Sequence, residues 1–215
     1  MTLFPRLLFL SGTQDFPDLP LFERHLRDLL DGGLPWFQLR DKALDDRSLF
    51  ELALKIRKWT ADSGCLFTIN DRPDIAILTG ADGVHLGQTD LSALEVRFER
   101  PRSGFHLGVS THNRAEVMRA LTVDPDYLGV GPIFQTTTKE TGVMPRGPGA
   151  LAETREISSL PRVAIGGLTP DNAREVLKAG AETLAISGIL VKAQDPRALL
   201  GIFLDLLSKP PDSSS

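Results

Sequence analysis

The segment RVAIGGLTPDNAREVLKAGAETLAISG, residues 162–188, has the pattern that decides the fold. Two short apolar runs, RVAIGG (162–167) and TLAISG (183–188), flank an amphipathic stretch, TPDNAREVLKAGA (169–181). Strands that are apolar on both faces are typical of a parallel sheet covered by helices. The segment is therefore predicted to form one complete βαβ unit.

The same alternation continues through the rest of the chain. Six further apolar runs are predicted strands: LLFLSG (7–12), WFQLR (36–40), LFTIN (66–70), GVHLG (83–87), FHLGVS (105–110) and YLGVGPIF (127–134). Eight βα units in a chain of this length predict a single closed (β/α)8 TIM barrel. A doubly wound open sheet is the alternative, but LSGTQDF after the first strand lacks the glycine-rich turn expected there.

The helical segments have recognisable ends. Apolar side chains recur on one face of LFERHLRDLLDG (21–32) and of SLFELALKIRKWTADSG (48–64), and the second pattern stops at Gly64. In 169–181, Thr169 is expected to be the N-cap, Pro170 the first helical residue and Gly180 the C-cap.

Composition limits the class of protein. The 215 residues are 41% apolar and 24% charged, with a net charge of −4, which argues against bulk attraction to nucleic acid or to an anionic membrane. Cys65 is expected to be a buried core thiol. The first residues have too short an apolar run for a signal peptide, so the cytoplasm is expected. Residues 1–208 are predicted to form the barrel, and 209–215 a disordered tail.

Functional groups of a barrel enzyme lie where its strands end. Gln38 and Arg40 are two residues apart on one strand, so both should point into the mouth if Leu39 packs outward. Lys42 follows the strand end. These cations are either solvated loop charges or the ligands of a phosphate, which arginine can bind in a bidentate manner.

Two carboxylates, Asp71 and Asp90, follow adjacent predicted strands. Mg²⁺ accepts two such oxygen ligands together with water and phosphate oxygens. The alternatives are a turn role for Asp71 in the stretch NDRP and an N-cap role for Asp90. The presence of both beside Arg40 and Lys139 favours a metal–phosphate site.

Glycine turns end the last two strands. Gly166-Gly167 and Ser187-Gly188 expose main-chain N–H groups at the position where this fold often binds phosphate, although close helix–strand packing would favour glycine as well. His25 and His106 fit the helix and strand patterns. His85 is predicted to line the barrel or its core, and His112 could reach a ligand.

Six stretches together resemble one family, thiamine phosphate synthase. They are FQLRDK, FTINDRPDIAILTGADGVHLGQTDL, GVSTH, YLGVGPIFQTTTK, VAIGGLTPDNAREVLKAGA and AISGI, in the family's order from about residue 36 to 190. The resemblance implies a transferase of the alkyl/aryl-transferring class. It would join 4-amino-2-methyl-5-hydroxymethylpyrimidine diphosphate to a thiazole phosphate or its carboxylated form, giving thiamine phosphate and pyrophosphate.

The resemblance also implies residue roles. The pyrimidine diphosphate would be held by Gln38, Leu39, Arg40, Asp41, Lys42, Asn70, Ser110 and Lys139, of which Arg40, Lys42, Ser110 and Lys139 would be catalytic. One Mg²⁺ per subunit would be bound by Asp71 and Asp90. The thiazole phosphate would be held by Thr136, Thr137, Thr138, Gly167, Ile186 and Ser187.

The match has departures and rivals. Ser11-Gly12 stands where the family often has an acidic residue, Arg72 adds a cation beside Asp71, and the segment 140–150, with Arg146, does not align. A thiazole tautomerase would not need Arg40, Lys42, Lys139 and both carboxylates, and a non-catalytic barrel would not need metal ligands. The expected partners are the two small phosphorylated substrates, with no nucleic acid and no membrane. The oligomeric state stays open, a homo-oligomer included.

Overall fold

The fold is a closed barrel of eight parallel strands, seen in a computed structural model that describes residues 4–88, 104–136 and 144–209. Each strand pairs with the next along the chain, and β8 pairs with β1 to complete the ring. The predicted (β/α)8 barrel is confirmed, and the open-sheet alternative is wrong because an open sheet would leave two edges unpaired.

The strands are short. They are β1 (Leu7–Ser11), β2 (Trp36–Leu39), β3 (Leu66–Asn70), β4 (Gly83–Leu86), β5 (His106–Thr111), β6 (Tyr127–Val130), β7 (Arg162–Ile165) and β8 (Thr183–Ile186). All eight predicted strands exist, but most predictions ran past the C-terminal end. The largest error is in YLGVGPIF, where the strand ends at Val130. Pro132 has no N–H to continue the ladder.

The helices lie between the strands. They are α1 (Leu19–Asp31), α2 (Asp46–Ser63), α3 (Pro73–Thr79), α4 (Arg114–Leu121), α5 (Gly149–Ile157), α6 (Pro170–Lys178), α7 (Gly188–Val191) and α8 (Pro196–Ser208), with a 3-10 turn at Thr13–Asp15. Within the described ranges, no helix combines the length and apolar character that crossing a bilayer requires. The predicted tail, 209–215, lies outside the described residues except for Lys209.

The helix ends follow capping rules, with one correction. Thr169 is the N-cap of α6 as predicted, and Gly64 ends α2 in the left-handed conformation at φ 69°. The prediction that Gly180 is the C-cap of α6 is wrong. Ala179 is the C-cap with helical φ, and Gly180, at φ 110°, is the next residue, where the chain needs positive φ to leave the helix.

The core has two parts. The larger part lies between the strands and the helices and includes Leu26, Phe37 and Phe203. The smaller part fills the N-terminal end of the barrel interior, where the rings of Phe4 and Trp36 stack with centroids 5.4 Å apart. Because this layer blocks one end of the barrel, the interior space opens at the C-terminal ends of the strands.

Cys65 lies just before β3 and is buried, as predicted for a core thiol. Burial raises the pKa of its thiol to about 12. A thiol that stays protonated in this way is a poor nucleophile at neutral pH.

Candidate active site

A cavity of about 640 Å³ occupies the C-terminal mouth of the barrel. Eight of the residues that the resemblance assigned to the two substrates line it. On the predicted pyrimidine side these are Gln38, Arg40, Asn70 and Ser110, and on the predicted thiazole side Thr136, Gly167, Ile186 and Ser187. The predicted residues Asp90, Thr137, Thr138 and Lys139 lie outside the described residues.

Strand β2 brings the first polar groups to the cavity. Gln38 points inward and is 3% exposed, Arg40 lies at the mouth, and both line the cavity. Leu39 packs in the core between sheet and helices. The predicted parity of these three residues is confirmed. The Leu39 side chain is not brought to the cavity, so a contact with the pyrimidine would have to come from its main chain.

Asp41 faces away from the cavity, towards the turn after β1. Its carboxylate accepts hydrogen bonds from the Thr13 main-chain N and the Thr13 Oγ1, both at 2.6 Å. It also accepts from the main-chain N of Ala43 and of Leu44, both at 3.0 Å. These contacts make Asp41 a brace for the loop that carries Arg40 and Lys42. The structure does not bring its carboxylate to the predicted diphosphate position.

Gln14 braces the same loop from the cavity side. Its Nε2 donates to the Arg40 carbonyl oxygen at 2.9 Å, and its Oε1 accepts from the Lys42 main-chain N at 3.2 Å. A Cβ at Gly12 would collide with the Arg40 carbonyl, so the turn needs glycine there. Sequence reasoning missed Gln14 because its partners lie 26 and 28 residues further along the chain.

Asp71 directly follows β3 and forms an ion pair with the Lys42 Nζ. Its backbone is left-handed, at φ 64°, and its main-chain N donates to the His85 carbonyl oxygen at 2.8 Å. Aspartate tolerates this conformation better than most side chains. The side chain is 16% exposed. In the part of the chain that the structure describes, no three acidic, histidine or cysteine side chains converge to hold a metal ion.

The two extra arginines noted in the sequence have partners away from the cavity. Arg72 pairs with Asp46 at 2.5 Å and with Asp74 at 2.7 Å. Both contacts lie at the start of α3, whose N-cap is Arg72. Arg146 pairs with Glu153 at 2.5 Å.

The end of β1 supplies a carboxylate where the sequence departs from the family pattern. Asp15, four residues after Ser11, accepts from the Ser11 Oγ at 2.8 Å and from the Gly12 main-chain N at 3.0 Å. It lines the cavity. An acidic group therefore lies at this strand end although the strand itself finishes with serine and glycine.

The glycine turn after β7 lies against the chain that follows β6. Gly166 and Gly167 have φ of 104° and 64°, and a Cβ at Gly167 would lie 2.5 Å from the Gln135 carbonyl oxygen. The two strand-end segments approach so closely because neither glycine has a side chain. Lys192, which sequence reasoning also missed, lines the cavity beyond α7.

His85, predicted to line the barrel, does so from β4. Its Nε2 lies 2.8 Å from the Ser110 Oγ, and its Nδ1 lies 3.2 Å from the Tyr127 hydroxyl. His112 also lines the cavity, and its Nδ1 lies 2.8 Å from a Glu116 carboxylate oxygen. Tyr127 was expected only as a strand residue, and its hydroxyl in the barrel interior was missed.

Comparisons with known proteins agree with this geometry. A family described as thiamine monophosphate synthase matches residues 7–190. The thiamine-phosphate synthase of Shouchella clausii is 38% identical over 193 residues, which cover 90% of this chain and 91% of that protein. The thiamine-phosphate synthase of Gloeobacter violaceus is 42% identical over 178 residues, which cover 82% of this chain but 51% of that protein.

A solved structure points the same way. Thiamine phosphate pyrophosphorylase from Pyrococcus furiosus superposes with a TM-score of 0.84 at 29% identity, covering 94% of this chain and 96% of that one. The resemblance identified from six sequence stretches is therefore confirmed along nearly the whole barrel. The chain belongs to the thiamine monophosphate synthase family.

Proposed function

We propose that this chain is a thiamine phosphate synthase. It would join the methylene carbon of 4-amino-2-methyl-5-hydroxymethylpyrimidine diphosphate to the ring nitrogen of a thiazole phosphate, or of its carboxylated form, which would also release its carboxyl group as CO2. The carbon–oxygen bond to the diphosphate breaks, its electron pair leaves with pyrophosphate, and the thiazole nitrogen supplies the pair for the new carbon–nitrogen bond. The observation that carries the proposal is one cavity lined by Arg40, Asn70 and Ser110 on one side and by Gly167 and Ser187 on the other.

The pyrimidine side has the groups that a departing diphosphate needs. Negative charge grows on the leaving group as the bond breaks, so cations that contact it stabilise the transition state more than the ground state. Arg40 lines the cavity, and Lys42 lies on the same braced loop. Lys139 is proposed as a third cation on the basis of the family motif.

Asp71, together with Asp90, is proposed to hold one Mg²⁺. Asp71, the one of the two that the structure describes, fits the role because it is a mostly buried carboxylate at a strand end. Its ion-pair partner, Lys42, has a side chain that is 54% exposed. When bound, Mg²⁺ would neutralise charge on the diphosphate. Lys42 would then be released from Asp71 and available to a phosphate oxygen.

The thiazole side is proposed to act by positioning. Bare main-chain N–H groups at the glycine turn and the Ser187 hydroxyl can bind a phosphate, which holds the ring nitrogen in line with the pyrimidine carbon. No strong base is required, because the thiazole nitrogen already carries a free electron pair. Positioning and charge stabilisation together account for the proposed reaction.

A pyrophosphate-release assay tests the proposal. Release should require both substrates and Mg²⁺. Binding of thiazole phosphate without any pyrophosphate release would instead indicate a tautomerase-like enzyme or a binding protein. Asp71→Ala and Lys139→Ala should both lose turnover, and wild-type turnover with unchanged Mg²⁺ dependence in these variants would overturn the assigned roles.

A matched pair of arginine variants tests the cation at the mouth. Arg40→Ala should lower kcat/KM by about 10²–10³-fold, the usual cost of removing one transition-state charge contact. Arg47→Ala removes the same charge from α2, where the side chain is 87% exposed, and should leave the rate unchanged. Equal effects of the two variants would show that Arg40 acts only through the overall charge.

A further inference from the structure

A network of hydrogen bonds crosses the barrel interior at the floor of the cavity, where Ser110, His85 and Tyr127 all line it. The His85 Nε2 lies 2.8 Å from the Ser110 Oγ, and its Nδ1 lies 3.2 Å from the Tyr127 hydroxyl. The imidazole and phenol rings stack with centroids 5.5 Å apart and planes inclined by 26°. Both imidazole nitrogens therefore face hydroxyl groups, that of Ser110 and that of the buried Tyr127.

Two glycines, one on β5 and one on β6, make room for this pair of rings. A Cβ at Gly108 on β5 would overlap the Tyr127 ring, and a Cβ at Gly129 on β6 would lie 2.9 Å from the His85 Cε1. Glycine inside a strand weakens the strand and marks a place where another group approaches closely. The barrel interior is thus shaped around the His85–Tyr127 stack.

The residues around the Tyr127 hydroxyl set the direction of the hydrogen bonds in this network. The Trp36 indole, which can only donate, and the Gln38 Nε2 both donate to the Thr68 Oγ1, at 3.0 and 3.4 Å. The Gln38 side chain also lowers the pKa of the Tyr127 phenol, as an N–H group directed at the phenol oxygen does. With the Gln38 amide donating to the phenol oxygen, the phenol proton is left to donate to the His85 Nδ1.

Tyr127 is a permanent donor. It is fully buried, and burial raises the pKa of its phenol far above the ordinary value. The phenol therefore keeps its proton at neutral pH. A donor at Nδ1 requires the neutral imidazole to carry its own proton on Nε2.

We propose that His85 is a positioning residue that acts through Ser110: held by Tyr127 in the Nε2–H form, it donates to the Ser110 Oγ and leaves the serine proton facing the cavity. In the other tautomer, His85 would accept the serine proton, and Ser110 would present only lone pairs to the ligand. Lone pairs repel a diphosphate, whereas a hydroxyl proton binds it. The tautomer of His85 thus decides whether Ser110 attracts the substrate, an inference that rests on the proposed function for the identity of that substrate.

The kinetic test is a double-mutant cycle. Tyr127→Phe keeps the ring but removes the donor, and it should lower kcat/KM for the pyrimidine diphosphate by about tenfold or more, as expected for a hydrogen bond to a charged group. In a Ser110→Ala background the same change should cost less than about twofold, because residues that act through one another are not additive. Equal costs in both backgrounds would overturn the proposal.

Further variants distinguish an activity lost because Ser110 is no longer positioned from an activity lost because the protein unfolds. His85→Gln keeps an N–H donor within reach of Ser110 and should retain more activity than His85→Leu. Thr60→Val is the matched control, since it deletes a fully buried hydroxyl that bonds the Ile56 carbonyl at 3.0 Å, in a helix and outside the barrel interior. It should leave kcat/KM unchanged, and thermal melting of all variants excludes unfolding as the cause of lost activity.

A second readout does not depend on the reaction. Nitrogen-15 NMR of the imidazole rings distinguishes the two tautomers in the free protein, and four histidines can be assigned with single variants. We expect Nε2–H at His85 in the wild type and a loss of that preference in Tyr127→Phe. An Nδ1–H imidazole in the wild type would overturn the inference even if the enzyme is active. Absence of pyrophosphate release with an Nε2–H imidazole would instead count against the proposed function alone.

Discussion

Replacing Asp41 with alanine separates a bracing role from a ligand contact. The change removes hydrogen bonds to the Thr13 main-chain N and Oγ1, both at 2.6 Å, and to the main-chain N of Ala43 and Leu44, both at 3.0 Å. Hydrogen bonds to a charged group contribute about 1.5–3 kcal/mol each when buried. Asp41 is only half-buried, and water can replace it at the exposed amides, so the total loss should be about 2 kcal/mol.

In a chain of this size, about 1 kcal/mol shifts the melting temperature by about 2–4 °C, so Asp41→Ala should melt about 4–8 °C lower, as measured by circular dichroism. Its KM for the pyrimidine diphosphate should rise, because the loop carrying Arg40 and Lys42 is less well ordered. Asp62→Ala, an exposed change on α2, is the control and should stay within about 0.5 kcal/mol of the wild type. A wild-type melting temperature with tighter substrate binding would refute the brace and indicate a carboxylate that repels the diphosphate.

Three further outcomes follow from single residues. Burial lowers the pKa of His25, whose Nε2 has no hydrogen-bond partner. The imidazole is therefore protonated more readily in the unfolded chain than in the folded one. The free energy of unfolding should therefore be unaffected by His25 above about pH 6.5 and should fall at lower pH, where the unfolded chain binds the proton first. His25→Phe should make the melting temperature change less between pH 8 and pH 5. Cys65, with a thiol pKa of about 12, should resist iodoacetamide at pH 8 until denaturant unfolds the chain, which mass spectrometry can follow. Gly167→Ala, at φ 64° and with Cβ 2.5 Å from the Gln135 carbonyl, should raise KM for thiazole phosphate far more than for the pyrimidine diphosphate in steady-state kinetics.

The fold was predictable because its signals are local. Each strand is a short apolar run, and each intervening helix repeats apolar residues on one face, so the order of elements could be inferred without any contact information. The parity of Gln38, Leu39 and Arg40 followed from the alternation of side chains along a strand. The ends of the strands were predicted less accurately. Apolar residues continue through Gly131, Pro132 and Ile133 after the ladder has stopped, and hydrophobicity alone does not reveal a missing N–H.

The roles of the polar residues at the mouth were harder to predict, because they depend on contacts between distant parts of the chain. Gln38, Arg40 and Asp41 are neighbours in sequence, yet Asp41 turns back to Thr13, which lies 28 residues earlier. The His85–Tyr127 stack was missed for the same reason. A signal for it did exist, since Gly108 and Gly129 interrupt two predicted strands, and strand glycines often mark the close approach of another group.

The ion pair between Lys42 and Asp71 joins two residues that were assigned from the sequence to separate roles. Lys42 was assigned to the diphosphate and Asp71 to the metal, yet in the structure each is the partner of the other. A mostly buried carboxylate such as Asp71 is costly to leave unpaired. In the free protein the two charges therefore offset each other, and a diphosphate arriving with its divalent cation would offer each side chain a replacement of the correct sign. Because the charges exchange partners, Lys42→Ala should weaken substrate binding and also remove the ion pair with Asp71 from the free protein. Asp71→Asn, which removes the charge but keeps the shape, should therefore partly restore the stability of Lys42→Ala while abolishing the proposed Mg²⁺ dependence.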